Sequence, residues 1–241
     1  MKMKKTILSI ESKVPNPEAG WLDIKLSQTA MDRLNQYISV ANVSANVSVK
    51  NSLVGNISRS LALEDVENWF FDNCILELCT SYAQNFPTYQ RAVLTKNAPF
   101  IMKTFWVNYM KQHEFNPIHD HEGVFSFVIF VNIPTDWKEQ HDFPLSKESN
   151  DPSASDFSFV YTNMHGRIKT ARFQLSSDSN GCMLFFPAEL QHMVYPFYEC
   201  EEERITISGN ILYNINSTIR LTPKEFENQV STPLDESDWR K

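Results

Sequence analysis

His119 and His121 stand two residues apart in Asn-Pro-Ile-His-Asp-His-Glu-Gly-Val-Phe, just ahead of a run of β-forming residues. In extended backbone, alternate side chains share a face, so the two imidazoles project together. Two neutral nitrogen donors placed this way can share one transition-metal ion. A third histidine, His192, comes much later in Leu-Gln-His-Met-Val-Tyr, and Arg204 follows it by twelve residues in Arg-Ile-Thr-Ile-Ser-Gly-Asn.

That order suits a redox-active iron, which needs ligands on one face and open positions for cosubstrate and oxygen. His119, His121 and His192 are the expected metal ligands. The usual arrangement puts Asp or Glu two residues after the first histidine, and here that position is His121. Asp120 points to the opposite strand face. Glu122 would do so too unless a turn at Gly123 swings it round, so both carboxylates stay open as alternatives. An all-histidine set leaves Fe(II) its full charge and favours an anionic cosubstrate.

Arg204 matches such a cosubstrate. 2-Oxoglutarate chelates iron through its keto-acid end, and a guanidinium can clamp the carboxylate at its far end. Strand alternation puts Thr206 and Ser208 on the face of Arg204. Asn108 and Tyr109, on an earlier strand, are weaker candidates for the opposite wall. The expected catalytic set is therefore His119, His121, His192 and Arg204. Each part alone has an ordinary explanation: Arg204, for instance, follows Glu199 and Glu201–Glu203, and surface ion pairs would account for it while contributing little. The joint order singles these residues out. His113, His141 and His165 lack supporting spacing and are expected on the surface or in loops.

The elements that must position these residues change character along the chain. Ser27 can cap a helix running to about Ser39, with Met31, Leu34 and Tyr37 on its apolar side. Residues 44–55 look irregular or weakly stranded. A stronger helix is expected from Glu64 to about Phe86, its acidic start favoured by the helix dipole, with Val66, Trp69, Phe70, Leu76 and Cys79 as the buried stripe. After Pro99 the pattern is stranded. Thr104–Gln112 alternates, with Phe105, Val107 and Tyr109 on one face and Trp106, Asn108 and Met110 on the other. Ser126–Ile133 is almost continuously apolar, as in a strand covered on both faces. Strands follow at 157–161, 171–175, 182–186 and 204–215, with turn signals at Asn163–Gly166 and Asp178–Gly181. Residues 134–156 read as a long surface loop of the kind that acts as a lid.

The chain has 241 residues and 17 phenylalanines, enough for one domain with a large core. The expected organisation is an N-terminal helical support (1–98), an antiparallel jelly-roll core (99–216) and a C-terminal tail (217–241), in a mainly β, α+β fold. Net charge is −7 without a basic cluster, so phosphate-neutralising nucleic-acid binding is not expected. No apolar run approaches a membrane span, and the basic start lacks a signal-peptide core. A cytoplasmic protein with reduced Cys74, Cys79, Cys182 and Cys200 fits these features.

Several segments resemble a known family: Trp106-Val-Asn108, Glu114 through His119-Asp-His121 to Ile129, Leu184–Pro187, His192–Phe197 and Arg204–Asn210. They are similar to the 2-oxoglutarate/Fe(II)-dependent oxygenases common in T4-like cyanophages and marine bacteria. Leu53-Val-Gly-Asn-Ile-Ser extends the resemblance over most of the chain. It implies a double-stranded β-helix, iron, 2-oxoglutarate and oxygen, with the family's ligands on His119, His121 and His192 and its cosubstrate arginine on Arg204. If the chain is phage-encoded, its compartment would be the host cytoplasm. The expected activity is hydroxylation of a small molecule or peptide. Alternatives are a three-histidine cupin-type dioxygenase that does not use 2-oxoglutarate, and a non-catalytic jelly-roll binding module.

Overall fold

Phe125–Asn132 (β6) explains the architecture, because both of its faces are covered. Phe125, Phe127 and Ile129 join one apolar cluster, Val128 and Phe130 another, and all five are buried. The structure, a computed structural model, describes residues 8–16, 19–43, 48–87, 89, 99–163 and 165–214. Within these, β6 lies in a seven-stranded sheet, between β9 (Cys182–Pro187) and β11 (Arg204–Tyr213). Outward from β9 come β2 (Ala19–Leu26) and β1 (Leu8–Asn16); beyond β11 come β4 (Phe100–Met110) and β3 (Arg59–Ala62). A four-stranded sheet runs β5 (Asn116–His119), β10 (His192–Val194), β7 (Phe157–Thr162) and β8 (Ile168–Phe173). Every strand pair is antiparallel. Phe157 and Phe159 of the small sheet pack with Val128, Phe130, Leu184 and Phe186 of the large one, forming the interior of a jelly roll.

The opposite face of the large sheet is covered by helices. In α1 (Gln28–Val43), Leu34, Tyr37 and Ile38 are buried, and the Ser27 hydroxyl accepts from the Ala30 N–H at 3.3 Å, capping the start as expected. The next helix begins later than expected. Glu67 and Asn68 have φ of 60° and 52°, and the Asp65 carboxylate accepts the N–H groups of Phe70 and Phe71, each at 2.8 Å. A π-turn over Phe71–Ile75 then leads into α2 (Leu76–Asn85). The wider turn shifts the helical phase. The buried stripe therefore runs Phe70, Cys74, Ile75, Leu78, Cys79, Tyr82, while the expected members Val66 and Leu76 are 44% and 39% exposed.

The N-terminal support is also not helical alone. β1 and β2 extend the large sheet from one side and β3 from the other. Leu22, Ile24 and Leu26 alternate into the core while Trp21 faces the other cluster, a period-two pattern. Residues 44–47 and the proposed tail at 217–241 lie outside the described residues, as does position 215 of the last expected strand. The stretch 134–156 is more structured than a loose lid. It holds α3 (Trp137–Asp142) and α4 (Pro144–Lys147), and the Gln140 side chain is pinned by two hydrogen bonds to the Tyr198 backbone, at 2.9 and 2.8 Å.

Gly209 on β11 permits the central packing. A Cβ there would lie 2.7 Å from the Phe127 ring and 2.8 Å from the Thr104 carbonyl, so only glycine lets Phe127 cross β11.

Candidate active site

Strand register assembles the histidines. His119 ends β5, His192 begins β10, and the two are direct cross-strand partners. Their rings lie 4.2 Å apart between centroids. His121 sits in the turn beyond β5, where its backbone N–H donates to the Ala188 carbonyl at 2.9 Å. That anchor brings its ring to 5.1 Å from His119 and 5.0 Å from His192. One ring nitrogen from each residue lies within 4.8 Å of the others, close enough to hold a single metal ion. Gly123, at φ 123°, reverses the chain directly afterwards.

Two of the rings have assigned tautomers. His119 Nδ1 is 2.7 Å from the Pro117 carbonyl and His192 Nδ1 is 2.9 Å from the Leu190 carbonyl. A carbonyl can only accept, so Nδ1 carries the proton in each case and the Nε2 lone pair is free for a ligand role. Burial pushes His192 well below the usual imidazole range, His119 below it, and His121 down to about 4. All three are neutral donors at neutral pH. His192 is wedged against Phe157 and Phe186, while His121 meets the edge of Trp106 at 5.9 Å. Asp120 and Glu122 are exposed at the mouth and stay outside the cluster, so the carboxylate alternatives are not what the geometry brings together.

These rings line a cavity of about 590 Å³ that also receives Arg204, Thr206, Ser208 and Asn108. Arg204 is no surface ion-pair partner: it is 1% exposed, and burial lowers its pKa to about 10. Its guanidinium lies over the Phe197 ring at 5.0 Å. Nη2 donates to the Ser155 carbonyl at 2.9 Å and to the Ser155 hydroxyl at 2.5 Å. Nε and Nη1 are buried without a hydrogen-bond partner. Buried donors are normally satisfied, so two orphans on one cation in a cavity mark a place for an anion.

One expected wall residue is corrected. Asn108 lines the cavity, held by the Ser60 hydroxyl donating to its side-chain oxygen at 2.7 Å. Tyr109 turns the other way into the core, under Arg59, and its hydroxyl donates to Asn42 at 2.7 Å. Adjacent strand residues cannot share a face, so only one of the pair could line the wall.

Sequence reasoning missed the residues around the guanidinium. Ser155 is fully buried with φ 72°, a conformation costing about 1–3 kcal/mol for a residue other than glycine. Asp156 beside it is buried; burial lifts its carboxyl to about 7 while the Arg204 charge pulls it down. His141, expected on the surface or in a loop, lies in α3 with an 11% exposed side chain, 3.0 Å from the Asp156 carboxylate through Nε2. Arg172 approaches the other carboxylate oxygen at 3.9 Å. His113 and His165 are exposed, as expected. Cys74 and Cys79 are buried thiols raised to about 12 by burial, with no part in the cavity, and all four cysteines are free.

Residues 104–210 match the family model described as "Putative 2OG-Fe(II) oxygenase", a span containing all three histidines and Arg204. No curated protein matches the sequence. The fold is similar to that of SnoK, a non-heme alpha-ketoglutarate-dependent carbocyclase from nogalamycin biosynthesis. That likeness has a TM-score of 0.50 and 10% identity over 81% of this chain and 80% of that one. A prolyl-4-hydroxylase from Pseudomonas putida aligns at TM-score 0.48 and 12% identity, over 81% and 93% of the two chains. A Trichoplax adhaerens prolyl hydroxylase, solved with a hypoxia-inducible-factor peptide, aligns at TM-score 0.46 and 13% identity, over 81% and 83%.

Proposed function

We propose that the chain is a 2-oxoglutarate- and Fe(II)-dependent oxygenase that hydroxylates a small molecule or peptide at iron held by His119, His121 and His192. The observation that carries this reading is the cavity itself. It joins three neutral imidazoles at one place to a buried cation with two unpartnered donors at another. Both groups fit: unprotonated Nε2 atoms suit Fe(II), and the free Arg204 donors suit a carboxylate.

When bound, iron and 2-oxoglutarate supply the oxidising chemistry, with 2-oxoglutarate converted to succinate and carbon dioxide. The protein supplies position. His119 and His192 direct their Nε2 atoms through the Nδ1–H bonds to Pro117 and Leu190. Arg204 receives the far carboxylate of 2-oxoglutarate through Nε and Nη1, and Thr206, Ser208 and Asn108 add polar groups to the wall. Phe157, Phe186 and Trp106 close apolar surface around the imidazoles and limit water there.

A three-histidine set also suits a cupin-type dioxygenase that does not use 2-oxoglutarate. In that alternative Arg204 would bind the substrate or have no role; succinate formation dependent on iron and oxygen distinguishes the two readings. Residues 1–98 and 99–216 act as one domain in this reading, since β1–β3 hydrogen-bond into the same sheet as the core strands. No described helix is long and apolar enough to cross a membrane.

The test is uncoupled turnover. Iron- and oxygen-dependent succinate formation is expected from the wild type and not from Arg204→Ala, followed by a screen of small molecules and peptides for stimulation. Metal-loaded protein that binds no 2-oxoglutarate by calorimetry would overturn the reading.

A further inference from the structure

The stretch 134–156 places an unusual group against Arg204. Ser155 is fully buried at φ 72° and offers the guanidinium two acceptors, its carbonyl and its hydroxyl, both to Nη2. Several contacts fix this strained backbone. The Ser155 N–H donates to the Pro196 carbonyl at 2.8 Å, the Asp156 N–H to the Ser153 carbonyl at 3.1 Å, and the Tyr195 N–H to the Asp156 carbonyl at 2.9 Å. Thr135 Oγ1 lies 3.0 Å from Ser155 Oγ in a buried pair, which orients the hydroxyl. Farther out, His141 holds the Asp156 carboxylate at 3.0 Å, and Arg172 donates to the Pro152 carbonyl at 2.6 Å.

The outcome is selective. Of the guanidinium nitrogens only Nη2 is engaged, so Nε and Nη1 remain for a ligand. No carboxylate forms an ion pair with Arg204 among the described residues; the nearest acidic influence is Asp156. A neutral serine can hold the cation without neutralising it, whereas a carboxylate in its place would compete with an anionic ligand. Long arginine side chains also lose rotamer freedom when a ligand fixes them, and a prior anchor removes that cost from binding.

We propose that Ser155, oriented by Thr135, is a positioning residue that fixes the Arg204 guanidinium in advance and so sets selectivity for a keto acid bearing a second, distant carboxylate. This rests on the reading of Arg204 as the cosubstrate anchor. Segment 134–156 thus acts as a fixed brace for the cosubstrate pocket.

The experiment compares two keto acids by anaerobic calorimetry on metal-loaded protein: 2-oxoglutarate, and 2-oxobutyrate, which lacks the distal carboxylate. Glycine adopts φ 72° without strain, so Ser155→Gly removes the hydroxyl and keeps the carbonyl. Its 2-oxoglutarate affinity is expected to fall about tenfold, as for loss of a hydrogen bond to a charged group, with 2-oxobutyrate binding unchanged. Thr135→Val should produce a smaller loss of the same selective kind. Combined with Arg204→Ala, Ser155→Gly should cost nothing further, because its effect passes through the arginine. Equal losses for both keto acids, additivity with Arg204→Ala, or wild-type selectivity in both variants would overturn the positioning role. A wild-type protein that does not discriminate between the two acids, matched by Arg204→Ala, would overturn the anchor assignment itself.

Discussion

The two ends of the cavity are built on opposite plans. The histidine end stands on the small sheet and its following turn, where cross-strand register alone brings His119 to His192. Its groups are neutral, and His119 and His121 are only partly buried. The arginine end stands on the large sheet, fully buried and charged, and depends on the irregular stretch 134–156 for its surroundings. A neutral, register-built site can await its ion at little electrostatic cost. A buried cation with unsatisfied donors is costly until an anion arrives, so its protein must hold it.

The largest effect that could break this contrast is at the histidine end. His192→Ala is expected to abolish metal-dependent succinate formation and to weaken metal binding by more than the roughly 10–100-fold lost when a ligand's hydrogen-bond partner is removed. Isothermal titration with the metal checks it; intact metal binding would dissolve the three-histidine site. Arg204→Ala should leave metal affinity alone while weakening 2-oxoglutarate binding by about 2–5 kcal/mol, as when one partner of a buried charge pair is truncated. Loss of both affinities together would mean that the two ends are not separable.

Gly209→Ala probes their common foundation. Forcing a Cβ between Phe127 and the Thr104 carbonyl should cost about 1–3 kcal/mol of stability in a denaturant titration and loosen both ends alike.

Acid and base should separate the ends by sign. The usual imidazole pKa is 6.5, and folding holds His121 at about 4 with His119 and His192 also lowered, so below about pH 6.5 the unfolded chain binds more protons. Stability of the metal-free protein then falls as pH drops from 6.5 toward 4. Asp156 runs the other way: its carboxyl rises from 3.8 to about 7, so its contribution is full below about pH 3.8 and is lost as pH climbs from there to about 7. Melting temperatures between about pH 4 and 7 should show the fall toward acid lessened in His121→Asn and steepened in Asp156→Asn, because the two contributions oppose each other over the same window. The smallest effect is reserved for Glu122→Gln and Asp120→Asn, which should change metal affinity by no more than about 0.5 kcal/mol, as exposed substitutions do. A large loss in either would restore a carboxylate ligand.

The same contrast governs what the sequence reveals. His119 and His121 share a face by spacing, and the strand-to-strand order that returns His192 to them is a feature of the whole chain, so the gathering of the three histidines was legible. Alternation on β4 correctly separated Asn108 from the core, and the same rule excludes Tyr109 as its companion. The continuously apolar β6 announced its double coverage. The brace was not legible, because Ser155 and Asp156 lie in a stretch without periodicity and their role depends on contacts 49 residues away. Nor was the phase change in the helix, since a π-turn alters which residues face inward without altering composition. The strands β1 and β2 escaped notice because their alternations gain meaning only once β2 pairs with β9 and β1 with β2.

Pro117 has a consequence beyond fixing the His119 tautomer. It lies in β5, at the border of the four-stranded sheet, just past the single bridge between Phe115 and Asn56, where any unpaired backbone would invite a second chain to add itself. Exposed Phe115 and Ile118 flank it and would make such an addition adhesive. Proline has no N–H to offer an incoming strand. The residue whose carbonyl helps aim an imidazole thereby also guards the strand carrying it against self-assembly, so replacing it with alanine, which keeps that carbonyl but adds an N–H, would endanger colloidal behaviour while leaving His119 its hydrogen bond.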